Sequence, residues 1–571
     1  MRMRQTRIAA IVSALWLVTA AMPGQAQVQA REQRSSLPYS IVDTGQTKCY
    51  DDRNEIALAV PAGVMVAPKA ALQVVRPVED APGLAAISPL DLPVQTAWRG
   101  AGIQPAPLCG DEVFIRRVYL DVIGTLPAAA EVRTFLEDKN PNKRTLLIDR
   151  LLERDEFADY WAMKWSNLLR VKSEFPINLW PNAVQAYHRW IRTSIKENMP
   201  YDRFVREMLT ASGSNIRKPQ VNFYRAVQSK DSQALAQAVA LTFMGTRAEK
   251  WPKERLADMA VFFSRVGYKA TAEWKEEIVF FDLGKTPVPA SAVFPDGVTV
   301  NLSPLQDPRE VFADWLISPT NAWFTRAIAN RVWSWLLSRG IIHEPDDIRQ
   351  DNPPVNPELL ALLERELIAS RYDLKHLFRL ILTSQIYQLS CMPAFMHPQG
   401  EAHFAFYPVR RLEAEVLIDA INQITGTTEK YTSRIPEPYT FIPEEKRSIA
   451  LADASITSPF LDLFGRCPRN TGLESEQRNN LPTAAQQLHL LNSSHIQRKL
   501  EQGAKLRALL QPAAKPREVV NDLYLTILSR YPTEEEMQLF VAYSQSSEGR
   551  QRAGLDLAWA LINSAEFQFR H

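Results

Sequence analysis

The stretch DPREVFADWLISPTNAWFTRAIANRVWSWLLSRGI, residues Asp307 to Ile341, decides the fold class of this chain. Asp307 is a helix N-cap candidate, Pro308 stands at the first helical position, and a glutamate follows three residues after the cap. A second helical run extends from Asn321 to Arg339, and Gly340 stands where a helix C-cap is expected. The stretch therefore predicts two consecutive helices.

Similar helix signals occur from about residue 111 to the end of the chain. Asn356-Pro357-Glu358 predicts the start of another helix, and Thr533-Glu534-Glu535-Glu536 is a capping box. The one credible β region is residues 276–302, in which EEIVFFDL is followed by a turn and DGVTVNL. This region predicts a small inserted hairpin of two or three strands.

The N-terminus has the three parts of a secretory signal peptide. Three arginines precede the apolar run Ile8 to Met22, and Gly24-Gln25-Ala26 offers a small-residue cleavage site after Ala26. An uncleaved anchor is the competing interpretation, but the run is shorter than the about 20 residues that a spanning helix needs. We therefore expect an exported protein, periplasmic or attached to the cell surface, with no transmembrane segment after signal removal.

Composition and periodicity divide the rest of the chain. The segment up to residue 90 is rich in Pro, Ala and Val and lacks helical periodicity, as is typical of an extended arm or linker. The prediction is a mostly α fold of two helical lobes, with a small β-hairpin insertion and an extended N-terminal arm. The predicted boundaries are a signal peptide (1–26), an extended arm or linker (27–90), a first helical domain (91–265), a β insertion (266–306) and a second helical domain (307–571).

Charge and motif content exclude several function classes. The 66 basic and 64 acidic residues leave no bulk basic field for nucleic acid, so no nucleic-acid partner is expected. With 46% hydrophobic and 23% charged residues, the chain is typical of soluble globular proteins. It contains no nucleophile elbow, Walker loop, dinucleotide fingerprint or His-Glu-x-x-His motif, which argues against the standard hydrolases and nucleotide enzymes. The oligomeric state stays open.

Four cysteines, Cys49, Cys109, Cys391 and Cys467, allow two disulfides in an oxidising compartment. Of the three pairings, Cys49 with Cys109 and Cys391 with Cys467 keeps each bridge within one region and is preferred. Four free, partly buried thiols are the alternative. No Cys-x-x-Cys occurs, so neither a thioredoxin-like nor a zinc-ribbon site is predicted.

Long motifs in both halves resemble two paired domains of a secreted planctomycete cytochrome-associated family, known as domains of unknown function fifteen forty-nine and fifteen fifty-three. The resemblance covers roughly residues 90–570, and the motifs stand in the family's order. The biochemical role of this family is not established. Its members are commonly encoded beside an exported sulfatase-like protein, so the resemblance implies such a partner. The motifs of the first domain are EVFIRRVYLDVIGTL (Glu112 to Leu126), LLIDRLLERDEFADYWAMKWSNLLR (Leu146 to Arg170) and NMPYDRFVREML (Asn198 to Leu209). The motifs of the second domain are the stretch from Asp307 to Ile341 quoted above and four others: PDDIRQDNPPVNPELL (Pro345 to Leu360), YDLKHLFRLILTSQIYQLS (Tyr372 to Ser390), RRLEAEVLIDAI (Arg410 to Ile421) and SPFLDLFGR (Ser458 to Arg466).

The chain departs from many relatives at the haem-attachment motif. These relatives carry Cys-x-x-Cys-His between a Phe-Met-Gly turn and a Phe-Phe pair. Here the interval reads FMGTRAEKWPKERLADMAVFF, residues Phe243 to Phe263, without cysteine or histidine. Because covalent haem needs both thiols and an axial ligand, haem is disfavoured and no cofactor is predicted.

Arg331 is the most interpretable polar residue. On a helical wheel it falls inside the apolar face of its helix, where a guanidinium needs a carboxylate or several acceptors. Candidate partners are Asp346, Asp347 and Asp462. A buried ion pair is favoured over an anion-binding role.

The loop from His343 to Asn352 concentrates oxygen and nitrogen ligands, among them Asp346 and Asp347. Such a loop is compatible with a hard cation such as calcium, but it lacks the alternating spacing of a calcium hand. Helix capping and pairing with Arg349 explain the same residues without metal. No metal is predicted.

Three further groups have a structural and a functional interpretation. Arg411, Glu415 and Asp419 recur at four-residue spacing, which predicts a solvated salt-bridged face unless they line a cleft. His489 and His495 flank a predicted helix-to-helix turn. The tryptophans are expected in the core, with Trp180 as the exposed exception.

The preferred function is a non-catalytic partner or scaffold of an exported sulfatase-like protein. The alternative is an enzyme or binding module for complex or sulfated polysaccharide, with Arg331, Arg411 and the Asp346–Asp347 loop at its cleft. Whether the chain is an enzyme is left open.

Overall fold

The computed structural model describes residues 88–285, 289–443, 445–477, 481–511, 515–547 and 549–571. Of the described residues, 54% are helical and 6% are strand, which confirms the mostly α prediction. The predicted signal peptide, nearly all of the predicted arm and Cys49 lie outside the described residues. Among the described residues, no helix is both long and apolar enough to span a membrane.

The first half of the described chain is a series of helices. They are α1 (Asp91–Ala101), α2 (Asp111–Val122), α3 (Ala129–Glu137), α4 (Lys143–Leu152), α5 (Asp155–Leu168), α6 (Pro181–Lys196), α7 (Tyr201–Thr210), α8 (Asn222–Arg225), α9 (Ser232–Val239) and α10 (Lys253–Val261). A π-helical turn, Ala240–Met244, continues α9.

The second half is again helical. Its helices are α11 (Pro308–Leu316), α12 (Ala322–Leu337), α13 (Pro357–Ala369), α14 (Leu374–Leu382), α15 (Gln385–Gln388), α16 (Ala414–Thr425), α17 (Pro459–Leu463), α18 (Glu474–Gln477), α19 (Ala484–Asn492), α20 (Ser494–Gln502), α21 (Ala504–Leu509), α22 (Pro516–Ile527), α23 (Glu534–Ser546), α24 (Arg550–Ile562) and α25 (Ala565–Gln568).

The β structure consists of small antiparallel sheets. β1 (Gly213–Ser214) and β2 (Val266–Ala270) pair with the two sides of β3 (Glu277–Phe281). β4 (Ser291–Val293) pairs with β5 (Thr299–Asn301), and β6 (Arg410–Arg411) pairs with β7 (Phe569–Arg570). The predicted insertion is therefore two hairpins, because EIVFF pairs with the preceding strand and not with DGVTVNL.

The predicted helix starts are confirmed. Asp307 accepts a hydrogen bond from Arg309 N, and Asn356 accepts one from Leu359 N at 3.0 Å. Thr533 forms the expected capping box with the glutamate three residues later. These starts depend on side chains adjacent in sequence, which is why the sequence reveals them.

The predicted end of α12 is wrong. The helix ends at Leu337, and Ser338 takes the left-handed conformation with a φ of 63°. Gly340 is needed for another reason, because a Cβ there would collide with the carbonyl oxygen of Ile342.

The two halves interlock through buried arginines of α2. Arg116 donates to the carbonyl oxygens of Ile527 and Phe567, each at 2.8 Å. Arg117 donates to Tyr387 O at 2.7 Å. Since these acceptors lie hundreds of residues away, the described residues pack as one compact unit.

Five of the twelve described tryptophans are buried, namely Trp98, Trp161, Trp165, Trp333 and Trp335, so the core prediction is correct for these and not for the others. Trp161 and Trp333 are among the largest fully buried side chains. Trp180, the predicted exception, is only half-buried, whereas Trp274 in the turn between β2 and β3 is 57% exposed. Trp180 contacts Trp274 with ring centroids 4.8 Å apart, which covers part of its surface.

Candidate functional site

An open groove of about 750 Å³ lies where four segments of the described chain meet. Its walls come from residues 246–255, 295–296, 320–326 and 342–354. The volume lies in the range of small-molecule binding sites. The groove is therefore the candidate site.

The loop at 342–354 is held against the opposite wall by close backbone packing. Ile348 N donates to Gly245 O at 2.8 Å. Gly245 has a φ of 60°, and a Cβ there would lie 2.9 Å from Pro345 O. Glycine is therefore required at this position, and the interval Phe243 to Phe263 is placed beside the loop.

Arg255 is the distinctive charged residue of the groove. Its guanidinium carbon lies 4.2 Å from the ring centroid of Trp251 and 5.7 Å from that of Trp323. Its Nε donates to Pro295 O at 3.0 Å. Burial lowers the pKa of Arg255, and the charge of Asp296 partly offsets that effect. Within the described residues, this guanidinium has no carboxylate in ion-pair contact.

The other two arginines of the groove have carboxylate partners. Arg326 Nε lies 2.8 Å from Glu364 Oε1. Arg349 Nε lies 3.1 Å from Asp347 Oδ2, and its Nη1 contacts Asp351. These pairs offset the charges of both arginines.

Arg331 lies outside the groove, in the interior. Its Nε is 3.1 Å from Glu474 Oε1, and its Nη1 donates to Thr242 O at 2.7 Å. The glutamate also accepts from Trp335 Nε1 at 3.2 Å. The favoured buried ion pair is present, but its carboxylate belongs to Glu474 and to none of the three predicted aspartates. Glu474 is far from Arg331 in sequence, which is why sequence analysis did not identify it.

Two acidic residues of the loop from His343 to Asn352 have cationic partners. Asp346 is fully buried, lies 3.2 Å from Arg247 Nη2 and accepts from Glu474 N at 3.1 Å. Asp347 pairs with Lys250 at 3.5 Å as well as with Arg349. Across the described ranges, no group of three or more His, Cys, Asp or Glu side chains is arranged to hold a metal ion.

The prediction of a solvated face at Arg411, Glu415 and Asp419 is wrong, because all three side chains are buried. Arg411 donates to the side-chain oxygen of Gln486. Glu415 Oε1 lies 3.2 Å from Arg466 Nε. Later segments of the chain cover this side of α16, and local charge spacing does not reveal them.

Asp419 and Asp462 have contrasting environments. Asp419 is buried and accepts from Ser448 N at 2.7 Å and from Ile449 N at 3.1 Å. Burial raises its pKa to about 6. Asp462 is exposed and accepts from Thr457 Oγ1 at 2.6 Å. Neither residue lines the groove.

Cys109, Cys391 and Cys467 are free thiols. The preferred bridge between Cys391 and Cys467 is therefore not formed. The segment just before Cys391 instead packs on residues 107–109 through an antiparallel bridge. The preference for a bridge within one region of the sequence did not foresee this long-range contact. The preferred bridge of Cys109 includes Cys49, which lies outside the described residues.

His489 and His495 form a chain of polar contacts at the predicted turn. His489 Nε2 lies 3.3 Å from His495 Nδ1, and His495 Nε2 lies 3.1 Å from Glu429 Oε2. Lys499 Nζ lies 3.0 Å from the same carboxylate. Ser493 caps α20, which confirms the turn.

Sequence analysis missed a buried network centred on Asp121. Its carboxylate accepts from the hydroxyls of Tyr387 at 2.9 Å and Tyr407 at 2.7 Å. Arg410 Nη2 lies at 2.6 Å and Arg570 Nη1 at 3.3 Å. The one sequence signal for this network is that Asp121 stands in a helix whose other residues are mostly apolar.

Glu413 extends this network. Lys164 Nζ lies 2.7 Å from its Oε1, and Arg570 contacts its other oxygen. Burial alone would raise the pKa of Glu413, but Arg570 and Lys164 hold it well below its usual range. The network thus joins α5 to the last residues of the chain.

Two family models match the chain on either side of the groove. PSCyt2, a protein of unknown function (DUF1549), matches residues 89–258, and PSD1, a protein of unknown function (DUF1553), matches residues 308–544. The chain belongs to the family that carries this pair of domains. No curated protein and no solved structure matches it significantly.

Both matched regions contribute residues to the lining of the groove. The PSCyt2 region contributes Trp251 and Arg255, and the PSD1 region contributes Trp323 and the loop at 342–354. Asp296 comes from the segment between the two matches. The groove therefore exists only when both domains of the pair are present.

Proposed function

We propose that this member of the family is an exported, non-catalytic protein that acts by binding, as the partner or scaffold of an exported sulfatase-like protein. It would act in the periplasm or at the cell surface. The resemblance described above suggests the kind of partner, and the N-terminal segment suggests export.

One observation supports a binding role over a catalytic one. The charged side chains that the sequence singled out, such as Arg331, Asp346 and Glu415, are buried in ion pairs that fasten distant segments. The accessible groove instead presents indole rings and arginines, which are side chains typical of recognition surfaces.

An affinity capture tests this proposal. The mature protein serves as bait in its native envelope extract, and mass spectrometry identifies what it retains. An unrelated exported protein of similar net charge is the control bait. A sulfatase-like protein retained in stoichiometric amount by the family member alone is the expected result. Elution of the bait alone as a monomer would contradict the proposal.

A second candidate is an enzyme or binding module for complex or sulfated polysaccharide. The groove favours it, because Arg255, Trp251 and Trp323 combine a cation with flat aromatic surfaces. The residues first expected at such a cleft do not carry it, since Arg331, Asp346 and Arg411 are buried. Retention of dextran sulfate together with release of sulfate or reducing ends would support an enzyme, and retention without turnover would support a binding module.

A further inference from the structure

We infer that the groove binds an oxoanionic group carried by a saccharide, and that Arg255 is the residue that holds the anion. The inference rests on the second candidate function, which it makes specific by naming the ligand group and the residue.

Arg255 is oriented by three contacts that leave its terminal nitrogen atoms available. Trp251 and Trp323 flank the guanidinium, and the Pro295 carbonyl oxygen accepts from Nε. Within the described residues, Nη1 and Nη2 have no hydrogen-bond acceptor. A planar guanidinium fixed in this way matches the two oxygens of a sulfate, phosphate or carboxylate group.

The charges around the groove favour an anion at this point. Arg326 and Arg349 are paired with carboxylates, so Arg255 is the lining arginine without a carboxylate partner in the described part of the chain. Asp296 is the acidic residue of the lining, and one of its oxygens accepts from Trp315 Nε1 at 2.9 Å. An anion bound to Arg255 would supply the counter-charge that this arginine lacks.

The first turn of α12 adds to this preference. Residues Asn321 to Trp323 line the groove at the N-terminus of a helix of 16 residues. The positive end of the helix dipole favours negative charge at this end. The effect supplements Arg255 and does not replace it, because Asn321 already caps the first backbone N–H groups.

The rest of the groove suits a saccharide body. Neutral polar side chains at Thr320, Gln350 and Asn352 line it, and such groups pair with hydroxyls without adding charge. The volume of about 750 Å³ exceeds what an inorganic ion needs. A sugar unit that carries an oxoanion therefore fits both parts of the groove.

Equilibrium binding at one fixed ionic strength tests the inference. The probes are dextran sulfate, carboxymethyl-dextran and unmodified dextran of equal length, together with inorganic sulfate. The variants are Arg255→Gln, Arg255→Lys and, as a matched control, Arg203→Gln. Arg203 is an exposed arginine of α7 whose loss removes the same charge away from the groove.

We expect the wild type to prefer an anionic dextran over neutral dextran, and the preferred anion identifies the oxoanion class. Arg255→Gln should weaken that binding about tenfold or more, because charge-assisted hydrogen bonds are lost. Arg255→Lys should weaken it less, since it keeps the charge but loses the planar fork. Arg203→Gln should leave it unchanged.

Several outcomes would overturn the inference. Wild-type binding to no dextran would remove the polysaccharide candidate itself. Strong binding that survives Arg255→Gln would leave that candidate standing but refute the role of Arg255. Equal weakening by Arg203→Gln would indicate a diffuse charge effect, and tight binding of inorganic sulfate alone would refute the saccharide part. Matching circular dichroism spectra of the variants establish that they are folded.

Discussion

Arg331 Nε and Glu474 Oε1 lie 3.1 Å apart in the interior, and each of the two side chains is about 1% exposed. The arginine also donates to Thr242 O, in the π-helical turn of the first half of the chain. One ion pair therefore connects α12, α18 and the first domain. A charge at this depth is tolerated only because its partner and its backbone acceptors are in place.

Glu474→Gln should destabilise the protein strongly. The substitution keeps the shape of the side chain but leaves Arg331 buried without a counter-charge, at an expected cost of about 3–5 kcal/mol in the free energy of unfolding. Chemical denaturation monitored by circular dichroism measures this difference. The control is Glu207→Gln in the exposed pair with Arg203, which should cost less than about 1 kcal/mol. Similar small losses for both variants would contradict the structural role.

Asp121→Asn should weaken the contact between the two ends of the described chain. Asp121 pairs with Arg410 and Arg570 and is fully buried, so the expected loss of stability is again about 3–5 kcal/mol. A double-mutant cycle with Arg570→Met measures the coupling, which we expect at about 1–3 kcal/mol. Additive effects of the two substitutions would show that the pair is not coupled.

The stability should fall in mild acid because of His188. Burial, followed by the positive charges of Arg469, Lys446 and Arg192, lowers the pKa of His188 to about 3. The neutral form is thus favoured in the folded state, so its contribution is complete above the unfolded pKa of about 6.5 and is lost as the pH falls from there towards 3.

The slope from this histidine is about 1.4 kcal/mol per pH unit over that window. Asp419 acts in the opposite sense, because burial raises its pKa to about 6. Its contribution is complete below the unfolded pKa of about 3.9 and is lost as the pH rises through 6. Denaturation curves between pH 7.5 and pH 4.5 separate the two: His188→Gln should reduce the acid loss, and Asp419→Asn should increase it. An unchanged profile in both variants would refute these assignments.

Two neighbouring positions after α12 should respond in opposite directions. Ser338→Gly should raise the free energy of unfolding by about 0.5–1 kcal/mol, because glycine adopts the left-handed conformation without the strain of a Cβ. Gly340→Ala should lower it by about 2 kcal/mol or more, because the added methyl group collides with Ile342 O. Thermal melts measure both. If Gly340→Ala melts like the wild type, the close approach is not present.

The three described cysteines should react with a thiol reagent at different rates. In a Cys49→Ser background, unreduced protein in denaturant should show three free thiols. In the native state Cys391 should react first, because it is the least buried, whereas burial raises the pKa of Cys467 to about 11 and keeps the nucleophilic thiolate scarce. Ellman's reagent measures both. A single free thiol in denaturant would instead reveal a disulfide.

Local features of the sequence predict much of the secondary structure. The caps at Asp307, Asn356 and Thr533 are correct because each joins a side chain to a backbone group within three residues. Helical periodicity likewise places the inward face of α12 and its buried arginine. The same kind of evidence fails at Gly340, whose role depends on a turn that folds back over the helix end.

Tertiary structure alone decides the partners of the charged residues. Arg331 meets Glu474, and Asp121 meets Arg570, because chain segments far apart in sequence converge in one core. The sequence by itself determined a mostly helical chain whose motifs belong to a paired-domain family. Burial of Arg411 and the contacts of Arg255 with Trp251 and Trp323 depend on which elements pack together, since desolvation and long-range contacts have no signature in local spacing.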